Sequence, residues 1–157
     1  MIGEGERLRT QIALSRLRGK EVADAAPSIG TSFVINFHPT HWVRYSLLNS
    51  GRRVGGYRTS KSYLLFEGCD WRMSSGERTF RALRLPARSL SALLQRLIGR
   101  HLLQARLWGP DLGVALRFEE GLAITVSRGA KGFGQWWVGL PTDGTVDPFG
   151  LEEDTRQ

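Results

Sequence analysis

The clearest alternation of large apolar side chains with small or polar ones runs through Leu112, Val114, Leu116 and Phe118, with Gly113, Ala115 and Arg117 between them. A pleated strand puts the large set on one face, so the pattern predicts a half-buried strand. Glu119-Glu120-Gly121 follows, ending in a glycine free to take positive φ, and Leu122, Ile124 and Val126 return with the same period. Together they read as a β-hairpin. A weaker copy precedes it. Leu17-Arg18-Gly19-Lys20 parallels Leu97-Ile98-Gly99-Arg100, Ala25 parallels Ala105, and Phe33, Ile35 and Phe37 parallel Val114, Leu116 and Phe118. Each copy later reaches a tryptophan followed by a turn, Trp71 to Gly76 in the first and Trp137 to Gly144 in the second. The register slips by about one residue between the glycine and the apolar strand, an indel that a loop tolerates. The pattern predicts a duplicated β-rich unit with halves at about 17–76 and 97–144.

Two helices are expected beside these strands. Glu4 to Leu17 places Leu8, Ile12 and Leu17 among polar residues, with acidic groups near its start, as an amphipathic helix leaning on a sheet does. Pro86 to Ile98 is the stronger helix: Leu90, Leu93, Leu94, Leu97 and Ile98 share one face, Pro86 suits the first turn and Gly99 the end. Lying between the copies, it is expected to cover both hairpins, each buried leucine contributing about 1.5–3 kcal/mol. Further strands are expected at Lys20 to Ala26, Thr31 to Phe37, Trp42 to Leu48, Ser62 to Phe66, His101 to Trp108 and Gly134 to Val138, with Pro39 breaking the second from the third. The fold class that follows is α+β: one mostly antiparallel domain over 1–150 with a shared core. An acidic tail, 151–157, is expected to fray.

Bulk composition changes this picture little. A chain of 157 residues with 41% hydrophobic and 24% charged side chains has the balance of an ordinary globular domain. No apolar run reaches the length of a membrane span, Met1 to Arg9 lacks a signal-peptide core, and Cys69 is the only cysteine. These point to the cytosol and to no membrane partner. The net charge of +7 raises nucleic acid as a partner. The basic residues form no long run, however, and all but Lys20, Lys61 and Lys131 are arginine, a bias that G+C-rich coding also produces.

Candidate chemistry is sparse. His38 and His41, with Cys69 and Asp70 elsewhere, supply metal-ligand types without the paired spacing of a zinc site. No metal and no cofactor are expected. Cys69 beside Trp71 reads as a small core side chain, and no Gly-x-Ser-x-Gly elbow is present. Gly51 to Gly56 and Gly129 to Gly134 lack the Gly-Lys-Ser/Thr ending of a phosphate loop. No catalytic residue is therefore expected. A surface does stand out: Trp42, Arg44, Tyr45, Arg52, Arg53, Tyr57, Arg58 and Lys61 alternate rings with cations. Such a stretch stacks bases and neutralises phosphates, or grips an acidic protein; in the plainest alternative Trp42 and Tyr45 are core and the arginines a solvated loop. The expected partner-binding residues are Arg44, Arg52, Arg53, Tyr57, Arg58 and Lys61, with Arg72 added unless it pairs with Glu67 or Asp70.

Leu64 to Met73, ending Cys69-Asp70-Trp71-Arg72-Met73, resembles the Cys-x-Trp-Arg-hydrophobic strand of small uncharacterised bacterial proteins grouped with immunity proteins of polymorphic toxin systems. Leu97-Ile98-Gly99-Arg100, Asp111-Leu112 and Phe118-Glu119-Glu120-Gly121-Leu122 are similar to their repeated leucine-glycine start and Phe-x-x-Gly-x-Leu hairpin, over about Leu17 to Gly144. The resemblance implies a compact α+β domain that inhibits a toxin by binding it, without catalysis. Many immunity proteins against nucleases are acidic, whereas this chain is basic. An acidic target surface is therefore expected, with a nucleic-acid-binding module as the alternative.

Overall fold

The structure, a computed structural model, describes residues 3–44, 56–127, 134–141 and 144–146, with 42–44, 56–58 and 144–146 described by their backbone alone. The chain forms helix α1 (Glu4–Ser15), strands β1 (Val22–Pro27), β2 (Phe33–Phe37), β3 (Thr40–Arg44), β4 (Gly56–Ser60), β5 (Tyr63–Glu67), β6 (Asp70–Ser75) and β7 (Arg78–Arg81), and helix α2 (Ala87–Gln95). Strands β8 (Leu102–Trp108), β9 (Gly113–Phe118), β10 (Leu122–Ser127), β11 (Gln135–Leu140) and β12 (Gly144–Val146) follow. One five-stranded sheet has the order β1-β2-β5-β11-β12, a second the order β7-β6-β10-β9-β8, and β3-β4 is a separate hairpin. Described strand pairings are antiparallel throughout. This is an α+β domain with an N-terminal helix, as the alternation predicts. The acidic ending, 151–157, lies outside the described residues.

The two halves repeat one another in burial, register and hydrogen bonding. Leu14, Leu17, Gly19, Val22 and Ala25 correspond to Leu94, Leu97, Gly99, Leu102 and Ala105, all buried except the two glycines. Both glycines sit at φ +84°, a conformation that a side chain strains, and each ends the turn after its helix. Each then donates its N–H across the axis, Gly19 to Leu102 O at 2.7 Å and Gly99 to Val22 O at 2.9 Å. Val22 N–H to Arg100 O and Leu102 N–H to Lys20 O, both 2.9 Å, complete the set around an antiparallel bridge between Glu21 and His101. Both copies also carry the same irregularity, between Val22 and Asp24 and between Leu102 and Gln104. The one-residue slip lies in the turn between the first two strands of each copy. In the first copy the β3-β4 hairpin occupies the place that a tight Glu119–Gly121 turn fills in the second.

The halves are not self-contained. After β5 the chain crosses at Gly68-Cys69 into the other sheet, where β6 pairs with β10. Strand β11, following β10, returns the exchange by pairing with β5. Each sheet is thus three strands of one copy and two of the other. A tryptophan fastens each crossing: Trp71 on β6 donates Nε1–H to Thr31 O at 2.7 Å in the β1-β2 turn, and its counterpart on β11, which the register makes Trp136 and not the expected Trp137, donates to Leu112 O at 2.9 Å. Both indoles are buried in one core, Trp71 against Phe33 at 4.7 Å between ring centres.

Two details correct the sequence reading. Helix α1 buries Thr10, Ala13 and Leu14, with Leu17 just beyond it, while Leu8 and Ile12 stay 62% and 46% exposed. The repeat explains this, because Thr10, Ala13, Leu14 and Leu17 match the buried Leu90, Leu93, Leu94 and Leu97 of the second copy. Helix α2 packs on β1 and α1 on β8, so each helix covers the other copy and neither covers both hairpins. The outer edge of β8 is also closed. Gln11 Nε2 donates to Ala105 O at 3.0 Å and Gln11 Oε1 accepts from Leu107 N–H at 2.8 Å, an amide standing in for a missing strand. At the matching place on β1, Pro27 has no N–H to satisfy.

Two outcomes are expected. Residues 1–85 and 86–157 expressed apart should each lack a cooperative melt by far-UV circular dichroism and regain it on mixing, because each sheet needs strands from both. Gln11→Ala leaves a partly buried donor and acceptor on β8 unpaired and should cost about 1–3 kcal/mol in denaturant titration, with more self-association in sedimentation.

Candidate interaction face

Cross-strand register builds a basic surface that no single segment announces. Arg81 lies opposite Arg72, Arg72 opposite Thr125, Thr125 opposite Ala115, and Ala115 opposite Arg106. Their strand neighbours Phe80, Met73, Ile124, Leu116 and Ala105 point into the core, so period-2 alternation turns this row outward. The next row is Thr79, Ser74, Ala123, Arg117 and Gln104. Arg72, Arg81, Arg106 and Arg117 are exposed, and Ser74, Ala115, Ala123 and Thr125 form a half-buried floor between them. Only one carboxylate, Asp70, occurs in the five strands of this sheet. None of the four arginines is ion-paired among the described residues, where the salt bridges are Arg100–Glu120 and His101–Glu119. Like charges directly opposite on a sheet destabilise it, so Arg72 facing Arg81 opposes folding.

Trp108 closes one end. It is 42% exposed, its indole lies against Gly113, and Nε1–H donates to Val126 O at 3.2 Å. A Cβ on Gly113 would stand 2.6 Å from that nitrogen, so only glycine allows the ring to lie there. At the other end, in the β9-β10 turn, Glu119 Oε1 accepts from His101 N–H at 2.6 Å and lies 2.5 Å from His101 Nδ1.

The sequence-expected residues distribute differently. Arg44, Tyr57 and Arg58 lie on the β3-β4 hairpin, where Trp42 pairs with Arg58, Val43 with Tyr57 and Arg44 with Gly56. Arg52, Arg53 and Tyr45 lie outside the described residues. Lys61 is exposed in the turn between β4 and β5. Arg72 forms no salt bridge with Glu67 or Asp70; it stands in the middle of the arginine row. Arg81, Arg106, Arg117 and Trp108 were not expected, although the alternation that buries Trp71, Met73, Leu116 and Phe118 already turns Arg72 and Arg117 outward.

The metal and nucleophile candidates do not assemble. Among the described residues no group of three His, Cys, Asp or Glu side chains could hold a metal ion. His38 lines a polar hollow of about 380 Å³ with Ala23, Asp24, Asn36 and Thr40, and His41 is exposed on β3. Cys69 is buried in the β5-β6 crossing, its Sγ 3.4 Å from Gln135 O. No described helix is long and apolar enough to cross a membrane.

The Glu119 carboxyl titrates below its ordinary value of 4.5, chiefly because its charged form accepts the His101 backbone N–H and then because of the His101 ring. Its contribution to stability is therefore present above that ordinary value and lost as pH falls through the lower folded-state value. Glu119→Gln should flatten the fall in melting temperature between about pH 5 and about pH 3, read by scanning calorimetry. No protein-family model, curated protein or solved structure matches this chain.

Proposed function

We propose that this chain is a non-enzymatic binding protein of immunity or antitoxin type. It neutralises a bacterial toxin in the cytosol by seating an acidic surface of that protein on Arg72, Arg81, Arg106 and Arg117. One observation carries this reading. The pseudo-two-fold maps the row Arg106, Ala115, Thr125, Arg72 onto Ala26, Val34, Leu65, Trp137 of the first sheet, which are paired in the same way. The matched row of the first sheet therefore carries no cation, and the same pairing forms there without Arg106 and Arg72. Four unpaired guanidinium groups on a rigid sheet complement carboxylates, each able to take one bidentately.

The resemblance of Leu64 to Met73 to an immunity-protein strand supports the toxin as partner, since that strand delivers Arg72. Nucleic acid fits the face less well. Sheets that bind single strands present aromatic rings at their centre, whereas Ala115, Ala123 and Thr125 occupy the centre here.

The test is co-expression with the products of the genes adjacent to this one, taking as the candidate toxin any product that arrests growth on its own. Growth arrest relieved by the chain, together with a stoichiometric complex, is the expected result. Arg72→Glu with Arg106→Glu should weaken that complex by at least about thirtyfold, the low end of 2–5 kcal/mol for a disrupted buried charge pair. Loss of rescue must come without loss of melting temperature. An unrelieved arrest with no complex, or a tighter and steeply salt-dependent affinity for an oligonucleotide, would replace this reading with another.

A further inference from the structure

We infer that the element seated on this face is an acidic α-helix lying along β9 and β10, between Arg106 on one flank and Arg72 on the other. This rests on the proposed reading of the face and specifies the shape of its ligand. The flanking arginines belong to β8 and β6, with β9 and β10 between them. Three interstrand steps separate them by about 14 Å, and an α-helix with its side chains is about 10–12 Å across. The floor between them is Ala115, Thr125 and Ala123, short enough for a helix to approach closely and half-buried enough to gain from being covered.

Backbone hydrogen bonding selects the helix over an extended segment. A strand adds to a sheet at its edge, where main-chain groups are open. On the β8 edge, Ala105 O and Leu107 N–H are already taken by Gln11. A segment lying on the face finds no main-chain partner there, and a helix, which satisfies its own peptide groups, needs none. A partner sheet of three or more strands is too broad for the space between Arg106 and Arg72. With carboxylates along both sides of a narrow apolar ridge, a helix meets the arginines on each flank and the alanines beneath.

The experiment titrates the intact protein with three probes and reads calorimetric heat, with tryptophan fluorescence beside it. The first probe is an alanine-rich helical peptide with glutamates along two flanks, the second a peptide of identical composition with glutamates permuted and two D-residues that block helix formation, and the third oligo(dT). The helical peptide should bind at least about tenfold more tightly than its non-helical counterpart, and Arg72→Glu should abolish that binding. Ala115→Phe, which fills the floor and leaves every charge in place, should weaken it by a similar factor at an unchanged melting temperature, with Thr125→Tyr as the second variant if the first melts early. Equal affinity for the two peptides, or indifference to both floor variants, overturns the helix and leaves an acidic partner standing. Binding of neither peptide, or preference for oligo(dT), overturns the acidic-protein reading as well.

Discussion

Everything in this molecule hangs on the chain crossing between its two sheets and being fastened where it crosses. Gly68 and Cys69 carry it from β5 to β6, and the β1-β2 turn holds that crossing: Thr31 Oγ1 donates to Cys69 O at 2.6 Å and Gly68 N–H to Ser32 Oγ at 3.0 Å. The indole of Trp71 then takes Thr31 O, and Trp136 does the same to Leu112 O across the core. A buried indole N–H without an acceptor costs about 1–3 kcal/mol, so each tryptophan requires the opposite sheet's turn to be in place. Neither sheet is complete before the other, and the β6-β10 pair at the middle of the arginine face exists only because of the exchange. The arginine face is thus fixed by the deepest part of the fold.

A rigid platform matters for a binding surface made of arginine. The long side chains lose entropy on docking, and a backbone already fixed keeps that loss to the side chains alone. The like-charged Arg72 and Arg81 make the free protein less stable than it would be with neutral residues there. A ligand carboxylate removes that repulsion on binding. Electrostatic complementarity also raises the encounter rate, which would suit the proposed inhibitor, since it would have to reach its target before the target acts.

The strands, the strong helix and the repeat were legible because each is a local pattern: large side chains on alternate positions from Val114 to Phe118, and leucines at helical spacing from Leu90 to Leu97. Other features were hidden for definite reasons. Alternation says which face of a strand is buried and is silent on which sheet the strand joins, so the exchange of β6 and β11 left no local mark. Leu8 and Ile12 look like a helix face, yet the repeat already identified Thr10, Ala13 and Leu14 as equivalents of the buried Leu90, Leu93 and Leu94. The arginine row escaped because its members come from four separate strands, β6, β7, β8 and β9, and only register brings them side by side. The sequence drew the eye instead to Trp42 through Lys61, where rings and cations are neighbours along the chain.

An arginine-rich composition does not by itself account for the face. The matched positions of the two sheets differ in exposure as well as in residue type, exposed at Arg72, Arg106 and Arg117 and half-buried at Trp137, Ala26 and Asn36. Of the positions matched by the pseudo-two-fold, Arg106, Arg72 and Arg117 in the second sheet correspond to Ala26, Trp137 and Asn36 in the first. Neighbouring Gln104 corresponds to Asp24, which would place an anion where the second sheet keeps a neutral amide. The two surfaces share their backbone, their bulges and even the device of a ring lying on a glycine, Trp108 on Gly113 in one and Tyr63 on Gly139 in the other. They differ in charge. A difference confined to outward positions, on otherwise matching scaffolds, is what the proposed ligand on one face would produce.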